Sequence, residues 1–178
     1  MKSQYVVSTL SLLFVFAFGG NLLAQTIRIG AVSGIKGQTV SVPVTLTSVS
    51  SHTAALVRVQ YNTAVLENVA AMSGPLMSNG HALDSYSPAA GRFDVAVYAP
   101  LGMPSFKAKT GTVFNLSFRV KSNAPSGVSP ITFTTIGTPS LPAADLVGVT
   151  GAAVSPSTVA GSVRVLATAA DKTWQLYP

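Results

Sequence analysis

The chain has 178 residues with 48% apolar side chains and a mean hydropathy of +0.47, enough to bury one sizeable core, so we expect one domain. Its formal net charge is +6, but its eleven Lys and Arg residues are scattered and not interleaved with aromatic side chains, which argues against a nucleic-acid partner. Cysteine is absent, which excludes disulfides, thiolate metal sites and cysteine nucleophiles.

The first 24 residues have the pattern of a secretory signal peptide. Lys2 supplies a positive start, residues 6–18 form an apolar run, and a polar break precedes a cleavage point near Ala24. A membrane anchor is the alternative, but the apolar run is shorter than the roughly 20 residues that a bilayer demands. We therefore predict a secreted, extracellular domain over residues 25–167 with no membrane span after cleavage, and cell-surface association is the further option.

Short strands are predicted along that domain, each marked by apolar residues at every second position. The first, TIRIGAV, directs Ile27, Ile29 and Ala31 inward, and a turn is expected at residues 33–37. The second, TVSVPVTLT, alternates strictly. Its Pro43 lacks an N–H group, which indicates an edge strand or a bulge.

The stretch from Ala54 to Leu66 predicts a half-buried strand, a tight turn at Asn62 and Thr63, and the start of another strand. Later segments also alternate apolar and polar residues, and none has a convincing helical period. Together these segments indicate an all-β sandwich of eight or nine strands. The later predicted strands are residues 68–71, 81–86, 92–98, 113–121, 131–135, a brief pairing at 146–149, and 159–165.

The residue types needed for catalysis are scarce. His52 and His81 are the two histidines, and no Gly-x-Ser-x-Gly elbow is present. Glu67 and Asp94 are the pair of carboxyl groups to test first for glycoside hydrolysis, although surface solubility explains both. His81 and Asp84, three apart on a strand, point to opposite faces and make a poor metal pair. We therefore predict no enzyme activity, no cofactor and no metal site.

Six sequence blocks, taken in order and with their spacing, resemble the cohesin family over residues 26–166. Each block alone is a weak signal, and the ordered set is a specific one. The blocks are GQTVSVPVTLT (37–47), LVRVQYNTAVLENV (56–69), GRFDVAVY (91–98), GTVFNLSFRVKSNAPSG (111–127), SPITF (129–133) and VAGSVRV (159–165).

The resemblance implies a nine-stranded jelly-roll β-sandwich related to carbohydrate-binding modules. It also implies binding of dockerin modules carried by polysaccharide-degrading enzymes, mainly across family strands 3, 5, 6 and 8. The segment at residues 81–86 aligns poorly, so its face is unassigned. The implied partner-binding residues are the outward positions of three matched strands: Leu56, Arg58 and Gln60; Asp94, Ala96 and Tyr98; Asn115, Ser117 and Arg119.

Two departures from the family pattern stand out. The usual YDP turn reads Tyr61-Asn62-Thr63, and Leu56 and Arg58 replace the acidic and asparagine pair that many cohesins present. The dockerin that this chain would accept is therefore left open.

Two other functions stay open from the residues alone. One is a carbohydrate-binding module, which shares this architecture. Flat crystalline polysaccharides are usually bound by a row of exposed aromatics, and the outward faces offer only Tyr98 and Tyr86, so a soluble polysaccharide is the ligand left open. The other is a purely structural exported domain. Residues 168–178 look like a tail, and their ending, Leu176-Tyr177-Pro178, resembles the start of a sorting or anchoring segment.

Overall fold

A computed structural model describes residues 25–77, 80–107, 109–135 and 142–167. The predicted signal peptide and the predicted tail from residue 168 lie outside these ranges. Within these ranges all regular secondary structure is β-strand, and no helix that could cross a membrane is found. The thirteen strands are β1 Thr26–Ile29, β2 Ala31–Ile35, β3 Thr39–Thr47, β4 His52–Tyr61, β5 Leu66–Ser73, β6 Ala82–Tyr86, β7 Arg92–Tyr98, β8 Thr110–Val120, β9 Gly127–Phe133, β10 Ala144–Gly148, β11 Ala153–Val154, β12 Ser157–Val159 and β13 Gly161–Leu166.

The strands form two sheets packed face to face, as the all-β sandwich prediction requires. The first sheet has the order β12-β1-β3-β8-β5. In the second sheet, β4 pairs with β7 along one edge and with β10 and β9 along the other. β6 extends the β7 side, while β13 and β2 extend the β9 side. The count exceeds nine because the first and last predicted strands are each divided in two, the brief pairing expected at residues 146–149 is strand β10, and β11 is an additional short strand.

The core lies between the sheets and contains the alternating apolar residues that the sequence marks as inward. The first sheet contributes Val42, Leu116 and Phe118, each with no exposed surface, and the second contributes Val59 and Val97. Each such side chain stabilises the fold by about 1.5–3 kcal/mol on burial. The predicted inward faces of β3, β4, β7 and β8 are therefore confirmed.

The chain passes from one sheet to the other at Gly30. β1 and β12 pair in parallel in the first sheet, and β2 and β13 pair in parallel in the second. The chain changes sheets a second time between β12 and β13, close to Gly30. A side chain at Gly161 would place its Cβ 2.1 Å from the carbonyl oxygen of Gly30, so the two connections pass each other too closely for any residue but glycine at position 161. The crossing also makes the prediction for Ala31 wrong: Ala31 is exposed.

Two local predictions around β3 are refined. β3 lies between β1 and β8, so it is not an edge strand, but its register with β8 shifts between Val44 and Thr45, beside Pro43. The bulge is thus the alternative that the structure adopts. The turn expected at residues 33–37 is shorter, because β2 continues to Ile35 and the chain reverses at Gly37 with a φ of 79°.

Candidate docking face

The nine residues predicted to contact a partner do not share one surface. β4 and β7 belong to the second sheet, whereas β8 lies inside the first sheet between β3 and β5. Asn115, Ser117 and Arg119 therefore lie on the opposite outer surface of the sandwich. The expectation that all nine residues face one partner is therefore wrong for these three, since a strand with alternating residues has the same pattern in either sheet.

The other six predicted residues do lie on one outer surface, where Leu56 is opposite Ala96 and Arg58 is opposite Asp94. Strand pairing adds neighbours from β6 and β10 to the same surface. We name this surface, formed by β10, β4, β7 and β6, the four-strand face. Its outward residues are Ala54, Leu56, Arg58, Gln60, Ala82, Asp84, Tyr86, Arg92, Asp94, Ala96, Tyr98, Asp145 and Val147.

Arg58 is an internal contact of this face and not an exposed anchor. It is only 7% exposed, its guanidinium donates a hydrogen bond to the carbonyl oxygen of Pro142, and its Nε lies 3.7 Å from Oδ2 of Asp94. The backbone N–H of Arg58 donates to the carbonyl oxygen of Ala143 at 2.9 Å. Arg58 thus fastens the segment leading into β10 to β4, and the chain itself covers this side chain.

Tyr98 and Asp84 form a fixed pair at the β6 side of the face. The Tyr98 hydroxyl donates a hydrogen bond to Oδ2 of Asp84 at 2.9 Å. This hydrogen bond, and next the negative charge of Asp84, raise the pKa of Tyr98 above its usual value, so the phenol stays protonated near neutral pH. Nearby Tyr86 is 67% exposed and presents its ring to solvent.

A shallow, mainly apolar depression of about 280 Å³ lies at the centre of the face. Its floor includes Leu56 and Ala96, which are both half-buried. Asp84, Tyr86 and Asp94 surround it. Because the depression is open and has an apolar floor with a polar rim, it can receive one aliphatic side chain from a partner.

Seven residues of this face were not among the predicted contacts, and the acidic and aromatic ones are Asp84, Tyr86 and Asp145. The alternation of Ala82, Asp84 and Tyr86 was visible in the sequence, but this strand matches the family poorly, so its outward side was not assigned. Asp145 lies in a stretch with little periodicity. Its position became visible only when β10 paired with β4, opposite Leu56.

The described residues hold no catalytic carboxyl pair of the kind considered from sequence. Glu67 lies on β5 in the first sheet and pairs with Arg119 and Lys121, whereas Asp94 lies on the second sheet. The two carboxylates cannot flank one sugar cleft. No group of three potential metal ligands occurs in the described ranges.

Buried His52 has a structural set of contacts. Its Nε2 lies 2.7 Å from the Ser48 hydroxyl and 3.3 Å from that of Ser50, and its backbone exchanges two hydrogen bonds with Phe106. Burial lowers the pKa of His52 below its ordinary value. The ring is therefore neutral and contacts the Ser48 and Ser50 hydroxyls, whereas the backbone of His52 joins the start of β4 to Phe106.

Comparison with known proteins agrees with this architecture. A family model described as "Cohesin domain" matches residues 25–164. No curated protein matches the chain. Three solved structures illustrate the similarity in fold, and in each case the matched region covers 99% of the solved chain.

The first of these structures is the sixth cohesin of Acetivibrio cellulolyticus scaffoldin B in complex with a Cel5 dockerin mutant: 21% identity, 80% of this chain covered, TM-score 0.67. The second is the OlpA cohesin of Clostridium thermocellum with the dockerin Doc918: 19% identity, 80% covered, TM-score 0.67. The third is a non-cellulosomal cohesin from Archaeoglobus fulgidus: 19% identity, 86% covered, TM-score 0.63. Since the family model spans most of the chain and the sandwich is shared, the chain belongs to the cohesin domain family, whose members are non-catalytic scaffold modules.

Proposed function

We propose that this protein is a secreted, non-catalytic module that binds a dockerin-bearing protein through the four-strand face. In this role it would hold a polysaccharide-degrading enzyme outside the cell or at its surface. Two of the similar structures are cohesins in complex with dockerins, which supports this type of partner. The observation that carries the proposal is the open depression over Leu56 and Ala96 at the centre of the face.

The face recognises a partner through side chains and not through its backbone. β4 is paired on both edges, and β7 is paired with β4 and β6, so their main-chain groups are already used. Leu56 and Ala96 form the apolar centre, Tyr86 is exposed at the rim of the depression, and Gln60 is exposed farther along β4. A contact of ordinary size would bury about 800 Å² on each partner.

The substitution Ala96→Glu tests this face. It places a longer, charged side chain on the depression between existing carboxylates, and we expect binding of a dockerin to weaken by at least about tenfold. Biolayer interferometry of the full chain against immobilised dockerin modules measures the effect, and the thermal midpoint of each variant checks folding.

The matched control is Ser117→Glu, which adds the same charged group to an outward, half-buried position on the opposite sheet. This variant should bind as the unmodified chain does. Equal affinities for Ala96→Glu and the unmodified chain, with both folded, would remove the four-strand face from the proposal.

A second candidate function, binding of a soluble polysaccharide, is favoured by a separate depression of about 560 Å³ at one end of the second sheet. It is lined by the polar side chains of Gln60, Asn62, Thr63 and Thr132, and by Tyr61. Amide and hydroxyl groups of this kind can bond sugar hydroxyls. Affinity electrophoresis against a glycan panel tests it: retardation that Asn62→Ala abolishes would support this function, and unretarded migration in every glycan would reject it.

A further inference from the structure

The carboxylates of this basic protein are concentrated on one surface. The described residues include four, namely Glu67, Asp84, Asp94 and Asp145, and the last three lie on the four-strand face. The chain as a whole has a formal net charge of +6. The four-strand face also carries Arg58 and Arg92 beside its three carboxylates, so its formal charge is −1, and this difference from the rest of the molecule favours a positively charged partner surface.

Strand register places two of these carboxylates on either side of the apolar depression. Asp145 of β10 is opposite Leu56 of β4, Leu56 is opposite Ala96 of β7, and Ala96 is opposite Asp84 of β6. The four residues form one row across four neighbouring strands. Since neighbouring strands lie about 4.8 Å apart, the backbones of Asp145 and Asp84 are about 14 Å apart.

The charges of this row are not neutralised within the described part of the chain. Asp94, one step along the strands, has Arg58 as its cation at 3.7 Å. Asp84 accepts a hydrogen bond from Tyr98, but a protonated phenol leaves the carboxylate charge in place. Asp145 forms no ion pair with any described residue. Two uncompensated negative charges thus flank the apolar floor of the depression.

We propose that the four-strand face selects a partner helix that carries an aliphatic side chain between two positively charged ones, each Lys or Arg. This inference rests on the proposed function and names the chemistry of its partner. The aliphatic side chain occupies the depression over Leu56 and Ala96, and the cations pair with Asp145 and Asp84.

Helix geometry sets the spacing of this motif. Residues seven apart on a helix lie on the same side and about 10 Å apart along the axis. The flexible Lys or Arg side chains span the remaining distance to carboxylates about 14 Å apart. The aliphatic residue then falls three or four positions after the first cation. A helix lying across the strands fits better than an added strand, because β4 and β7 have no free edge.

A selection experiment tests the motif. The full chain is used to select from dockerin modules displayed on yeast whose outward helix positions are randomised. We expect the retained modules to be enriched in Lys or Arg seven positions apart around an aliphatic residue. Their affinity, measured at about 50 mM salt so that exposed charges are weakly screened, should fall roughly tenfold for the double variant Asp84→Asn and Asp145→Asn.

Glu67→Gln is the control, since it removes one carboxylate from the opposite sheet and should leave affinity unchanged. Retained dockerins without the charged motif, or with affinity insensitive to the double variant, would overturn this inference and leave the proposed function intact. Retention of no dockerin at all would overturn the proposed function and this inference with it. Enrichment of the motif together with a loss specific to the double variant would support both.

Discussion

The contact of Arg58 with Pro142 and Asp94 predicts a large loss of stability when the guanidinium is removed. Arg58→Met keeps most of the aliphatic volume but leaves the Pro142 carbonyl without its donor and Asp94, whose side chain is 19% exposed, without its cation. Breaking a fully buried pair in this way costs about 3–5 kcal/mol. Because Asp94 keeps some solvent contact, we expect about 3 kcal/mol, which lowers the thermal midpoint by about 6–12 °C in a domain of this size.

The matched control is Arg119→Met on the opposite sheet. Arg119 is 3.9 Å from Glu67, and the two side chains are 53% and 37% exposed, so this pair should contribute less than about 1 kcal/mol. Thermal unfolding followed by far-ultraviolet circular dichroism at pH 7 compares the two variants with the unmodified chain. If the thermal midpoints of the two variants lie within about 1 °C of each other, the role assigned to Arg58 is refuted.

Two further predictions concern other contacts of the fold. Since burial lowers the pKa of His52, the contribution of this residue to stability is complete above about pH 6.5 and is lost as pH falls toward the folded-state pKa. The thermal midpoint of the unmodified chain should therefore decrease between about pH 6.5 and 5. The decrease should be smaller in His52→Gln, whereas the control His81→Gln should keep it. A midpoint independent of pH in that window would contradict this. Gly161→Ala should lower the free energy of unfolding, measured with urea, by about 2 kcal/mol or more, because the new Cβ would meet the Gly30 oxygen at 2.1 Å. The control Gly148→Ala, whose Cβ would lie 3.6 Å from its nearest neighbour, should lower it by less than about 0.5 kcal/mol. Equal losses in the two variants would contradict the close crossing of the two connections.

The strands themselves were readable from the sequence, as β7 shows. Its alternation of Phe93, Val95 and Val97 with Asp94 and Ala96 predicted both the strand and its buried side. Gly30 shows where this reading fails: a pattern that looks like one strand is divided between two sheets, and Ala31 turns outward after the division. Nothing in the local alternation records that the chain has changed sheets.

The candidate site was predicted in part. Leu56, Ala96, Asp94, Gln60 and Tyr98 lie on the predicted surface, and whether they contact a partner stays a prediction. Arg58 points outward as its position in the alternation requires, but the segment at residues 142–143 covers it. That segment is 84 residues away in the sequence, so the pattern around Arg58 could not reveal the contact.

The sequence by itself determined that this protein is a β-sandwich and which side of most strands is buried, because the alternation of side chains along a strand is a local property with a fixed period. Only the tertiary structure decided which strands share a sheet. It placed Ser117 on the far surface and brought Asp145 and Asp84 to either side of the Leu56–Ala96 pair. Sheet membership depends on hydrogen bonds between distant segments, and either sheet of a sandwich accepts the same alternating pattern.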